Sequence, residues 1–348
     1  MGSPFLTRFI SIALKNLPLI LYFCEMKKIL YIILLLSVIE KLPAQGCSDA
    51  GICTLGSSLK KDQTFDKFSF AINQSLGSAE QKVNIHSTQI EISKSLFKKA
   101  QIQLKLPYIF SQGNLANTQG LGDISASFTY QYYQKKDWII NYTLGFKLGV
   151  NAADKAFEIQ LPANNSMLMA LPMVYQTSLG THDILFGADA RYKSVWRFAL
   201  GFQMPIVQFN KNNFESSLAQ YTPNATAYFT SNKLMRRPDA LLRIDRSFAV
   251  HKRFQANAGL IAVYHLLHDR VYNASNTASY AVHGSKGLTL NYAVSGTYII
   301  NKHFELSCRF AQPLIVRKTR PEGLTRHYVI GLELKYRLPS YKILKSHL

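Results

Sequence analysis

Three short runs carry side chains able to do chemistry. His283-Gly284-Ser285 has the His-x-Ser spacing that puts both side chains on one strand face, as a serine hydrolase needs, with Asn291 downstream as an orienting residue. The surrounding Val-His-Gly-Ser-Lys-Gly reads equally as a loop entering a strand, so lipid hydrolysis is the remote alternative and no catalytic residue is expected. The run from His265 through His268 to Asp269 suggests a metal, yet its spacing gathers only some of these side chains; a solvated loop end is the better reading, and neither metal nor cofactor is expected. Cys47 and Cys53 flank Ser-Asp-Ala-Gly-Ile. A disulfide closing that small loop is the leading reading; a lipid-modified Cys47 would follow a poor lipobox, and a two-thiolate metal site lacks further ligands.

The elements that position these residues announce themselves by rhythm. Short, mostly basic breaks recur at Phe97-Lys98-Lys99, Gln134 to Asp137, Lys193-Ser194, His251 to Arg253 and Asn301 to His303. Between them lie longer connections, around Gly77 to Ser87, Ser111 to Leu121, Asn151 to Gly180, Pro205 to Pro238, Leu266 to Lys286 and Pro313 to Thr325, rich in Asn, Gly, Ser, Thr and Pro. Alternation of short turns and long loops is the pattern of an antiparallel up-and-down transmembrane β-barrel, with short periplasmic turns and long extracellular loops. The breaks define about twelve strands of roughly ten to thirteen residues, beginning near Asp66, Thr88, Ala100, Gly122, Trp138, Thr181, Val195, Asp239, Arg253, Gly287, Lys302 and Arg326.

Side-chain period supports the assignment, because a barrel strand shows one face to lipid and the other to its interior. Trp138, Ile140, Tyr142, Leu144, Phe146 and Leu148 oppose Asn141, Thr143, Gly145 and Lys147; Tyr328, Ile330, Leu332, Leu334 and Tyr336 oppose Gly331, Glu333, Lys335 and Arg337. Aromatic residues flank the short turns on the apolar face, with Trp138, Trp196, Phe254 and Phe304 after them and Tyr132, Tyr192, Phe248 and Tyr336 before a turn or at the last strand's end. They form a predicted girdle at the headgroup level. Arg246 is the clearest charge on the apolar face, near enough to a turn to snorkel.

By parity, Lys67, Glu91, Lys105, Lys147, Asp189, Arg191, Arg197, Arg243, Asp245, Glu305, Arg309, Glu333 and Lys335 point inward. They either line a watery passage with a modest positive bias or pair across the lumen and plug it. Among the loops, Asn151 to Gly180 is unusually apolar, and Met167, Met169 and Met173 are candidates for an entrance that adapts to hydrophobic ligands; the plainer reading extends a strand or packs the stretch against other loops. The net charge of +20 comes from basic residues dispersed over turns, lumen positions and the tail, which does not suit a nucleic-acid face.

The N-terminal region supplies a route. Met26-Lys27-Lys28, the apolar Ile29 to Ile39 and Leu-Pro-Ala-Gln read as a secretory signal cleaved near Ala44 or Gln45. The expected organisation is an upstream extension at 1–25, whose apolar Phe9 to Phe23 is alternatively part of an anchor, then a signal peptide at 26–45. A periplasmic segment with the cysteine pair follows at 46–63, the barrel at 64–338 and a basic tail at 339–348.

The segments Gly46 to Cys53, Leu106-Pro107-Tyr108, Gly120-Leu-Gly-Asp-Ile124, Gln176 to Asp183 and Gly287 to Asn291 together resemble the meta-pathway phenol-degradation outer-membrane proteins. That resemblance implies a Gram-negative outer-membrane barrel passing small, often hydrophobic, molecules without an enzymatic step. The expected partners are outer-membrane lipid, a small-molecule solute and the barrel-assembly machinery. A closed barrel that binds a partner through its loops is the alternative.

Overall fold

A computed structural model describes residues 65–160, 165–217, 223–323 and 326–338. The expected signal peptide, the Cys47/Cys53 pair and the expected basic tail lie outside the described residues.

The strands are β1 (Phe68–Ala79), β2 (Asn84–Phe97), β3 (Ala100–Gln112), β4 (Asn117–Leu121), β5 (Ile124–Lys135), β6 (Trp138–Leu148), β7 (Ala156–Gln160), β8 (Ser166–Ala170), β9 (Thr181–Tyr192), β10 (Trp196–Gln208), β11 (Asp239–His251), β12 (Phe254–His265), β13 (Arg270–Tyr272), β14 (Ser279–Ala281), β15 (Gly287–Ile299), β16 (Phe304–Ile315) and β17 (Arg326–Leu338). Twelve of them form an antiparallel meander in the order β1, β2, β3, β5, β6, β9, β10, β11, β12, β15, β16, β17, and β1 pairs with β17 to close the ring. The short β4 extends the β3 edge above β5, while β7–β8 and β13–β14 are separate hairpins. The chain is therefore a closed twelve-stranded transmembrane barrel. Among the described residues no helix is long and apolar enough to cross a membrane; the crossing is made by strands.

Eleven of the twelve predicted strand starts fall within two residues of the observed ones; β2 begins four residues earlier than Thr88, at Asn84. That difference dissolves the expected long connection from Gly77 to Ser87. β1 and β2 run on to a tight turn in which Gln81 and Lys82 both adopt positive φ, 58° and 57°. Lys193 and Ser194 do the same, at 52° and 54°. Two positive-φ residues in a two-residue hairpin match the twist of the strands they join, but without Asn or Gly the sequence carries no signal for them. The expected loop from Ser111 to Leu121 is likewise mostly ordered, as β3 reaches Gln112 and β4 folds back along it.

Over the middle of all twelve barrel strands, odd-numbered residues face in and even-numbered residues face out. The outward set is apolar around the ring, with Ile72, Ile102, Phe128, Leu144, Phe186, Leu200, Leu242, Leu260, Val294, Leu306 and Leu332 all exposed. A continuous apolar belt is stable only against hydrocarbon. Girdle aromatics pack against one another at its short-turn edge, Trp138 on Tyr192 with ring centroids 4.9 Å apart and Phe304 on Tyr336 at 5.3 Å. Arg246 joins them, its guanidinium 5.3 Å from the Trp196 ring and 5.2 Å from Phe248. Cation–π contact at the interface is what lets a charge occupy the outer face.

Leu332 lies at the centre of β17 and Leu338 at its short-turn end, both on the outer face. Leu332→Arg is expected to lower stability by about 2–4 kcal/mol and Leu338→Arg by about 0–1 kcal/mol, the depth dependence a bilayer imposes. Urea unfolding from lipid vesicles measures both, and equal losses would contradict the membrane placement.

Candidate functional site

Register places the inward charges. Following hydrogen-bonded partners around the wall, Lys335 on β17 lies opposite Ala71, then Glu91, Lys105, Ser125, Lys147 and Asp183 on β9. Strand tilt makes this row climb from near the short turns to the loop end. Along it the charges pair sideways, Lys105 with Glu91 at 4.0 Å and Lys147 with Asp183 at 2.9 Å. Lys147 also reaches Asp123 at 3.3 Å, and Gln203 donates to Asp183 at 2.5 Å.

Two further groups lie toward the short turns. On one wall Asp189 meets Arg191 at 3.3 Å, while Asp245 is shared by Arg243 at 2.6 Å and the wholly buried Arg197 at 3.9 Å. Gly259 lets this happen, because a Cβ there would lie 2.4 Å from an Asp245 carboxylate oxygen. On the opposite wall Arg309 meets Glu333 at 2.6 Å and Arg337 meets Glu305 at 3.0 Å. All these pairs join neighbouring or same-strand residues, not residues across the barrel.

The space left is a cavity of about 420 Å³. It is bordered by seven cationic side chains (Lys105, Lys147, Arg243, Arg309, Arg326, Lys335, Arg337) and six anionic ones (Glu91, Asp123, Asp245, Glu305, Glu322, Glu333). Nine of the thirteen parity-predicted residues border it. Asp189, Arg191 and Arg197 are on the inner wall away from it, and Lys67 precedes β1 and is exposed at the short-turn rim. Asp123, Glu322 and Arg326 lie at or beyond strand ends, where the two-residue period stops carrying information; Arg337 has the parity of Lys335 and was within reach of the same rule.

At the other mouth, four loops fold together into a cap. Buried Met169, Leu171, Val174, Tyr175, Phe214, Ala225 and Tyr228 form a core with Val83 and Ile85 of the barrel rim, and Ala153, Met173, Leu234 and Val271 form a second. Asn212, fully buried, donates to the carbonyls of Ala153 (3.0 Å) and Leu171 (2.8 Å) and accepts from Ser231 Oγ (2.8 Å), tying two loops together. Gly180, with φ of +67°, allows Phe209 N to reach its carbonyl at 2.8 Å. Of the three methionines that were candidates for an entrance, Met169 is in the cap core, as the plainer reading of loop packing has it, and Met167 is on the β7–β8 hairpin; only Met173 borders the cavity.

The histidines also fall differently from expectation. His265 and Asp269 are buried, not solvated: His265 Nδ1 meets Asp239 at 2.7 Å and Nε2 meets Asp269 at 2.8 Å. His268 turns away toward the Val282 carbonyl at 3.2 Å. Ser285 Oγ is occupied, donating to the Val282 carbonyl at 2.7 Å and accepting from Asp269 N at 2.9 Å, and His283 packs on the His268 ring instead of bonding Ser285. The network continues through Arg317, which donates to the Ser285 carbonyl at 2.6 Å and pairs with buried Glu322. Burial pushes the Glu322 carboxyl up, but Arg317 and then Arg236 outweigh it and hold its pKa at about 2; burial pushes Asp269 up, and the Glu322 charge adds to it.

No protein-family model matches the chain, and no curated protein matches it in sequence. Among solved structures it is similar to KdgM porin (TM-score 0.40, 8% identity, covering 77% of this chain and 98% of that one). It is also similar to NanC porin (0.40, 9%, 78% and 100%) and to the translocator domain of autotransporter NalP from Neisseria meningitidis (0.41, 12%, 82% and 93%). Likeness this distant assigns no function to the chain.

Since the folded pKa of Glu322 lies below its ordinary 4.5, its contribution is present above about pH 4.5 and lost as pH falls toward 2. Glu322→Gln is expected to loosen the cap by on the order of 3 kcal/mol at neutral pH, and this difference from wild type should shrink across that window. Hydrogen exchange at the Arg237 and Asp269 amides, both bonded within the network, reads it out; a difference that stays constant with pH would contradict the assignment.

Proposed function

We propose that the protein is an outer-membrane channel for small molecules, entered through or around the loop cap. The observation that carries this is the lumen: its charges pair along the wall and leave a cavity of about 420 Å³ lined by both signs. Such a lining replaces part of a solute's hydration while its near balance of charge avoids a deep trap. The kinship with phenol-degradation barrels, and with it passage of hydrophobic or aromatic molecules, belongs to the same proposal; Met173, Val174 and Leu179 give the cavity an apolar end that suits them.

One observation favours a second reading, a closed barrel that recognises a partner through its loops. The cap has buried cores of its own and is pinned by buried hydrogen bonds, which a merely solvated loop set would lack.

Planar-bilayer conductance in potassium chloride separates the two. The wild type is expected to conduct, and replacing residues 152–178 by a short Gly-Ser link is expected to raise single-channel conductance severalfold by removing the Met173 segment from the mouth. If folded wild-type and cap-shortened proteins are both silent, the channel reading fails and the recognition reading stands.

A further inference from the structure

We propose that the lumen holds an amphipathic monoanion, its carboxylate or equivalent head at Lys335 and its apolar body against the underside of the cap. The inference deepens the channel reading and rests on it for the ligand's route, though not for its binding.

The head is argued from an unmatched charge. Lys335 borders the cavity, is 8% exposed and makes no hydrogen bond or ion pair among the described residues. Register explains why. Its partner on β1 is Ala71, which has nothing to offer, and its partner on β16 is Glu305, whose carboxylate is taken by Arg337 at 3.0 Å. Glu333, two residues away on the same strand, is taken by Arg309 at 2.6 Å. Both flanking carboxylates are thus already engaged by arginines, and Lys335 borders the cavity with no ion pair of its own, so an anion there completes it.

The body is argued from the other end of the same cavity. Ile85, Ile109 and Val329 on the wall face Met173, Val174 and Leu179 of the cap there. Val329 and Lys335 are six residues apart on β17, about 20 Å of strand, and the lysine side chain spans part of that distance. The cavity is within the size range of small-molecule sites. A hydrophilic anion would leave the apolar end unmatched, and a neutral hydrocarbon would leave Lys335 unmatched; only a molecule carrying both parts satisfies both ends, with the Met173 thioether adapting to its shape.

Octanoate, 1-octanol and gluconate, titrated calorimetrically into the full chain in lipid nanodiscs against empty nanodiscs, test this. Octanoate is expected to bind at least about tenfold more tightly than either of the others, Lys335→Met to weaken it about tenfold, and Lys335→Arg to restore it. Gluconate binding as well as octanoate would show a lumen that reads charge alone, and 1-octanol binding as well would show an apolar cleft alone; either result overturns the proposal, as does full affinity in folded Lys335→Met. If that variant does not fold, the wild-type comparison of the three compounds decides. Conductance in potassium chloride without ligand is measured separately, so a silent channel that still binds octanoate would defeat the channel reading and leave the site standing.

Discussion

Everything in this barrel depends on one constraint: in hydrocarbon a backbone amide has no water to bond, so every strand must have a partner on both sides. The β1–β17 seam meets it, with a continuous run of paired residues from Phe68 and Leu338 to Ser78 and Tyr328, and a bulge before Ala79 pairs with Arg326. Closing the ring forces each strand to divide its side chains between lipid and lumen. The apolar belt and the charged interior are two results of that single division.

The lumen then inherits a problem, since many ionisable groups are enclosed in a narrow space. It is met locally. Carboxylates and cations that lie opposite or diagonal on adjacent strands pair along the wall, and small residues such as Gly259 and Ala71 open room beside them. Because pairing consumes neighbours, Arg337 takes Glu305, opposite Lys335, and Arg309 takes Glu333, two residues along its strand. The cap obeys a different rule. Buried Asn and Ser side chains bond several of its backbone and side-chain polar groups, and its apolar groups pack across loops far apart in sequence, so it assembles as a small core perched on the rim.

Strand number, facing and the girdle were legible because a two-residue period survives in sequence whatever the tertiary context. Arg246 stood out for the same reason, although its placement against Trp196 and Phe248 needed the register to be known. The turn at Gln81-Lys82 was illegible because residues that ordinarily avoid positive φ adopt it there. Inward facing could be read residue by residue; which inward charges meet could not, since that depends on stagger between strands. The cap was the least legible part. Nothing in the spacing of Tyr175 and Tyr228 says that they meet, or in that of Asn212 that it reaches Ala153 and Leu171, and the His265 to Asp269 run looked like a wet loop end because its partners, Asp239 and Ser285, come from other segments.

The slanted row from Lys335 to Asp183 has a kinetic consequence. The row crosses seven strands and carries charges on five of them, at rising heights instead of in a ring at one level. A molecule travelling along the axis meets them in succession, like treads of a spiral stair. In the channel reading proposed above, each step would exchange one modest attraction for the next, so residence at any tread would stay brief and a strongly charged wall would be compatible with rapid turnover of its contents.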